Sequence, residues 1–195
     1  MEFRDYDPEK DIKTVARIWR EIGWIEKKGH EEAMQAILKS GHCTVATVND
    51  AAESMANTTP GTMRYLNEDL YACFITGVAT SRVARRQGLA ARLTAHTLAL
   101  AAAEGAKVAF ISVFDQGYYN QLGFGNGTYV HWYTFDPAGL NIEHRPGIPI
   151  RLTVEDWEKI HRARLGRIRR HGACSLLSPQ NTKAEMILSE NGFGL

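Results

Sequence analysis

Cysteine is scarce in this chain of 195 residues, and the three present, Cys43, Cys73 and Cys174, are odd in number and widely scattered. That spacing excludes a disulfide framework and a thiolate metal centre, and it fits a reducing, cytoplasmic setting. The seven histidines, at 30, 42, 96, 131, 144, 161 and 171, never fall at metal-ligand spacing, so no metal is expected. An excess of one charge is also missing: 23 basic against 22 acidic residues leave a formal charge of +1. Global electrostatics therefore favour no polyanionic partner. No apolar run approaches the roughly 20 residues of a membrane span. The start, Met1-Glu2-Phe3-Arg4-Asp5, is a charged strand and not a signal peptide. Neither G-x-x-x-x-G-K-[S/T] nor a G-x-G-x-x-G after a strand occurs, and no internal repeat or low-complexity tract is seen.

What is present centres on Ala79 to Ala90. An apolar run rich in Tyr, Phe, Ile and Val, Leu70 to Val78, predicts a strand. Leu89, Leu93, Leu100 and Ala101, with Thr97 between them, predict one face of a helix. The turn between holds Arg82, Arg85, Arg86 and Gly88. A helix start has unpaired N–H groups and the positive end of the dipole, so it can hold an anion. Gly88 admits a close backbone approach, and Arg85 and Arg86 add charge. The bland alternative is an ordinary strand-to-helix connection with solvated arginines.

A second segment follows. Lys107 to Phe114 predicts a buried strand, Asp115 a helix cap, and Tyr118 to Leu122 a short helix stopped by Gly123. Elsewhere the pattern predicts a first strand at Glu2 to Tyr6, a helix from Asp11 to Ile22, a helix from His30 to Lys39 and a strand from Cys43 to Val48. Glu53 to Ala56 begins another strand. Asn57-Thr58-Thr59-Pro60-Gly61 is turn chemistry that interrupts or ends it, and Met63 to Leu66 resumes it. Thr128 to Phe135 is expected to close the sheet. Asn141 to Pro149 reads as a linker, and a helix starting near Thr153 is expected to run to His171.

The pattern Arg85-x-x-Gly88-x-Ala90 after a strand resembles the pyrophosphate loop of the GNAT N-acetyltransferase superfamily. Gly117-Tyr118-Tyr119-Asn120-Gln121-Leu122-Gly123-Phe124 resembles the signature after the fifth GNAT strand. The two stretches together are similar to the N-terminal domain of the enhanced-intracellular-survival (Eis-like) acetyltransferases. The resemblance implies an α/β GNAT fold, a mixed and mostly antiparallel central sheet flanked by helices. It implies an acetyltransferase domain over residues 1–140, a linker over 141–149, and in 150–195 the start of a second GNAT-like domain or a C-terminal extension.

The same resemblance implies that Arg85, Arg86, Gly88 and Ala90 hold the pyrophosphate of acetyl-CoA, largely through backbone N–H groups. It implies that Val78 and Thr80 pair with the pantetheine arm like a short added strand and offer an oxyanion donor. Tyr119 would be the general acid that protonates the departing thiolate. A phenol with a pKa of about 10 is matched to that task. Tyr118 is the alternate, and packing is its plainer role. Trp24 lies where GNAT acceptors enter; it either lines that pocket or packs half-buried. Glu68 and Asp69 begin the strand before the loop, and a solvated turn suits them better than the part of a base. Cys73 reads as a core residue. Eis-like enzymes are thought to use the C-terminal carboxylate of the full chain as base, a role not carried over to Leu195.

The expected activity is attack of a neutral primary amine, on a small molecule or lysine-like, upon the thioester in a ternary complex. The alternative is a non-catalytic acyl-CoA-binding or regulatory module. A homo-oligomer fits the resemblance. The basic run Arg162 to Arg170 lacks aromatic interleaving, so a solvated face or pairing with acids is expected before nucleic-acid binding.

Overall fold

Asp7 starts the first helix by accepting the N–H of Glu9 at 2.9 Å, and Pro8 occupies the first turn, where its missing N–H costs nothing. In the computed structural model, which describes residues 2–112, 117–127, 133–141, 143, 147–148, 150–189 and 193–194, this helix α1 runs Pro8–Glu21. It begins nearly a turn earlier than apolar periodicity alone predicts. The cause is Asp11, which is buried and polar: Arg4 grips both its oxygens at 2.6 and 2.8 Å, and Asp7 N–H adds 2.9 Å. Val15, Ile18 and Trp19 face inward as the spacing requires.

Strand β1 (Glu2–Asp5) precedes α1, and α2 (His30–Lys39) follows it. Then come β2 (His42–Val48), β3 (Ala51–Tyr65) and β4 (Glu68–Thr80), paired antiparallel in sequence. β1 pairs antiparallel with β2. α3 (Leu89–Ala103) crosses over and delivers β5 (Val108–Ile111) parallel to β4. The order is β1-β2-β3-β4-β5, the expected mixed sheet. Met34, Leu38, Val15, Ile18 and Trp19 fill one side with Val45 and Met55. Leu89 and Leu93 cover the other against Ala46, Ala56 and Val78.

The turn expected at Asn57–Gly61 is not a turn: β3 runs through it without a break. Two local facts permit this. β2 pairs with β3 only as far as His42 and Thr58. Beyond Pro60 the same side of β3 takes a new partner, β7 (Cys174–Leu176), at Gly61–Met63. Pro60 accepts from Leu177 N–H at 3.0 Å across that side, so its missing donor falls at the junction of the two partners. Gly61 is required by close approach, because a Cβ there would lie 2.3 Å from the Phe74 ring and 2.6 Å from Ser175 O.

The C-terminal stretch contributes β6 (Arg151–Leu152), α4 (Trp157–Leu165), β7, α5 (Pro179–Ser189) and β8 (Phe193–Gly194), with β6 and β8 paired. The helix expected to reach His171 stops at Leu165. Gly172 N–H donates to Arg64 O at 2.8 Å and Arg64 N–H to Ala173 O at 2.9 Å, so the sheet claims the backbone a longer helix would need. α5 lies on α2, with Ala184 against Ala33 and Ala36, small residues that let the two axes approach. Of the expected strand Thr128 to Phe135, residues 133–135 are described and lie outside any strand; 128–132, like 113–116 with the Asp115 cap, fall outside the described residues.

Candidate active site

The site is built where β4 parts from β5. Lys107 donates its N–H to Tyr71 O at 2.9 Å, so Tyr71, Cys73 and Ile75 turn their backbone groups toward β5. Ser81 donates to Glu53 O at 2.8 Å, so Gly77, Ala79 and Ser81 turn theirs toward β3. The phase therefore reverses between. The register agrees: Asn57 pairs with Gly77 and Thr58 with Ile75, leaving Thr76 as the extra residue of a β-bulge. Beyond the bulge, Val78 and Thr80 present N–H and C=O on the β5 side. Among the described residues the β4–β5 pairing ends at Ile75 and Ile111. Among the described residues Val78 and Thr80 thus have no backbone partner on that side, and Thr80 is steadied by Ser54 Oγ at 2.8 Å.

The loop that follows begins with a short 3-10 turn, Arg82–Ala84, and reaches α3 through Arg86 and Gly88, both left-handed at φ 62° and 72°. Gly88 is the N-cap of α3 and offers no side-chain cap, and the first turn of the helix holds no acid. Leu89, Ala90 and Ala91 precede the first closed bond, Arg92 N–H to Gly88 O at 3.1 Å, so their donors face outward from the helix start. A Cβ at Gly88 would meet nothing within 4 Å, so glycine is demanded by backbone conformation and not by crowding. Arg85 and Arg86 are exposed.

Arg82 has a different task from its neighbours. Its N–H reaches Glu21 Oε2 at 2.7 Å and its Nε reaches Glu21 O at 3.0 Å. Glu21 Oε1 takes Arg17 at 2.9 Å, and Arg17 takes Glu53 Oε1 at 2.8 Å. This chain latches the end of α1 to the loop and to β3. The Arg82 N–H first, then Arg17, hold the Glu21 carboxyl below the usual carboxylate range. Motif reading missed Glu21; its only signal is that it ends α1 with an acid and no cap residue.

Trp24 sits over the same strand. Its ring meets Trp19 edge-on at 5.0 Å between centroids, and a Cβ on Gly77 would lie 3.8 Å from either indole. Trp24 is half-buried and closes the α1–α2 side of the bulge. Tyr119 lies in a 3-10 turn, Tyr119–Leu122, packed edge-on against Tyr118 at 5.0 Å and Phe124 at 5.9 Å. Asn120 Nδ2 ties the turn to Phe124 O at 3.0 Å. Burial, then the Tyr118 phenol, pushes the Tyr119 phenol above its usual value. The described contacts join Val78, Thr80, Trp24 and the loop into one region; those of Tyr119 stay within its own turn.

Among the described residues arginine holds Glu21, one oxygen of Glu53 and Asp69, while Glu53 Oε2 is buried without a partner. Asp69 is gripped by Arg169 at 2.5 Å and by Arg64 at 3.4 Å, and these guanidiniums outweigh burial and hold its carboxyl low. Burial raises all three thiols, Cys43 to about 12, so none is poised as a thiolate nucleophile. A cavity of about 310 Å³ lies among His161, Arg164, Leu176 and Asn181, and none of its lining belongs to β4 or its loop. The basic run is partly spent inside the molecule, Arg164 on Glu185 and Arg169 on Asp69.

Residues 2–127 match the family model described as an acetyltransferase (GNAT) domain. The chain belongs to the GNAT acetyltransferase family. Solved structures agree in fold. A putative acetyltransferase from Agrobacterium tumefaciens superposes with a TM-score of 0.57 at 14% identity, over 69% of this chain and 100% of that one. The aminoglycoside N-acetyltransferase AAC(6')-Iy in complex with CoA gives 0.56 at 16%, over 69% and 93%. A probable N-acyltransferase from Enterococcus faecalis gives 0.56 at 15%, over 62% of this chain but 31% of that one. No curated protein matches this chain significantly.

Proposed function

We propose that this GNAT domain is an acetyl-CoA-dependent N-acetyltransferase of the Eis-like type, acting on a primary amine by direct attack in a ternary complex. The single observation that carries the reading is the open β4 edge leading into an uncapped helix start. A strand edge whose N–H and C=O groups have no partner among the described residues fits an amide-bearing pantetheine arm. A helix N-terminus entered through two left-handed residues fits a pyrophosphate. Family members use acetyl-CoA, which supplies an activated acetyl thioester.

In this reading Val78 and Thr80 hold the arm, and Val78 N–H is placed to receive negative charge developing on the carbonyl oxygen. Arg85, Arg86, Gly88 and Ala90 hold the phosphates. Trp24 walls the acceptor side. Tyr119 gives its proton to the departing sulfur, and its raised pKa keeps that proton available at neutral pH. The high thiol pKa values support transfer without an acyl-cysteine. With Glu21 and Asp69 paired to arginine, and Glu53 through Oε1 alone, the acceptor enters as a neutral amine or loses its proton to water. Small amines, aminoglycosides among them, and lysine-like amines are the acceptor classes.

The test is thioester consumption by the chain with an aminoglycoside and with a lysine amide as acceptors. Amine-dependent release of coenzyme A supports the reading. Tight acetyl-CoA binding with no release for any amine favours the non-catalytic module.

A further inference from the structure

Five groups close a polar ring beneath the β4 bulge, with Ser40, Asn57 and Thr59 buried and Ile37 and Thr76 half-buried. Asn57 Nδ2 donates to Ile37 O at 3.0 Å and to Thr76 Oγ1 at 2.8 Å. Ser40 Oγ donates to Ile37 O at 2.6 Å. Its proton is thereby used, so in the 2.6 Å contact between Ser40 Oγ and Thr59 Oγ1 the threonine is the donor. The Thr76 O–H then has Thr59 Oγ1 at 3.2 Å and Asn57 O at 3.4 Å as its acceptors, and the first completes the circuit. Asn57 is fully buried, and Ser40 and Thr59 are 3% and 1% exposed. One atom is left over: Asn57 Oδ1 is buried without a partner among the described residues.

An orphaned acceptor lowers stability, and a threonine bulge needs no such ring merely to exist. The ring joins the last turn of α2 to the one residue, Thr76, that sets the phase of β4. Were the bulge ironed out, with Thr76 taking an ordinary place in the ladder, Gly77 and Ala79, not Val78 and Thr80, would face the β5 side. We propose that Asn57 and Thr76 are positioning residues, whose ring pins the bulge so that Val78 and Thr80 meet the pantetheine arm. The inference rests on the acetyl-CoA reading above. The Asn57–Thr76 pair touches neither thioester nor acceptor in this account; it acts through the strand.

Thr76→Val keeps the branched shape and removes the hydroxyl, whereas Thr76→Ser keeps the hydroxyl. Calorimetry on the full chain uses two probes, coenzyme A and its nucleotide half lacking pantetheine. Thr76→Val is expected to weaken coenzyme A about tenfold while the nucleotide half binds within about twofold of wild type. Thr76→Ser restores coenzyme A binding. A general loss of structure would weaken both probes together, and that result, like unchanged coenzyme A affinity in Thr76→Val, overturns the positioning role. Failure of the wild-type chain to bind coenzyme A at all is a separate outcome, which removes the cofactor reading and the inference with it. Amide exchange gives a second readout: coenzyme A slows exchange at Val78 and Thr80 in wild type and Thr76→Ser, and much less in Thr76→Val.

Discussion

Tyr119 packs between Tyr118 and Phe124, so losing its hydroxyl alone should leave those ring contacts in place. Tyr119→Phe is therefore expected to lower turnover about a hundredfold, with acetyl-CoA affinity nearly unchanged. Equal loss in both would remove the general-acid role. Because burial raises the phenol, the acid stays protonated past its usual value, and turnover should hold to above about pH 10 before falling. A descending limb centred near neutrality would assign the proton elsewhere. Asp11 makes a stability prediction. Burial would raise its carboxyl, but Arg4 and the Asp7 N–H prevail and hold it low. A depressed carboxyl stabilises the fold above its unfolded value near about 4 and loses that contribution as pH falls through the folded value. Asp11→Asn should cost about 2 kcal/mol at neutral pH and progressively less as pH falls below about 4. A penalty independent of pH would mean the Arg4 pair does not form. Gly88 at the start of α3 and the exposed Arg85 beside it were legible as loop residues because turn chemistry is local. Glu21 and Asn57 were not, since the partners that give them meaning lie 61 and 19 or 20 positions away.

Elements read well wherever burial has one side. α1, α2 and α3 follow apolar spacing, and the strand-loop-helix at β4 and α3 stands where its motif put it. β3 misled because its turn-forming residues have tertiary uses: Asn57 holds the bulge, Pro60 marks a change of partner, and Gly61 leaves room for Phe74. Propensity describes what a segment does alone, and β3 is never alone. Gly61→Ala should accordingly destabilise by about 1–3 kcal/mol through overpacking, read as a fall in the denaturation midpoint. An unchanged midpoint would show that Phe74 and β7 can retreat. At the latch, Glu21→Ala frees the Arg82 N–H and one Arg17 donor while the Arg82 Nε bond to the backbone carbonyl stays, and it should weaken coenzyme A several-fold while the melting temperature moves little. Unaltered affinity would mean the loop holds its shape without α1.

Across the molecule, residues 150–189 add to the domain and do not merely follow it. β7 continues the sheet beside β3, α5 covers α2, and Arg169 ties down Asp69. A glutamate in place of Ala184, a residue 1% exposed against Ala33 and Ala36, should cost about 3 kcal/mol for an unpaired buried charge. Retained stability would contradict that docking. The central claim concerns the β4 edge and the helix start beyond it, and one comparison addresses it most directly: calorimetric titration of acetyl-CoA into the wild-type chain and into Gly88→Glu. A Cβ at Gly88 would meet nothing within 4 Å, so the glutamate is not crowded at its first side-chain atom. Its backbone strain at φ +72° is about 1–2 kcal/mol. Its carboxylate would instead stand where the phosphates are proposed to bind. The account predicts micromolar binding to the wild type and none to a folded Gly88→Glu. Equal affinity in both proteins, or no binding to the wild type, would contradict it.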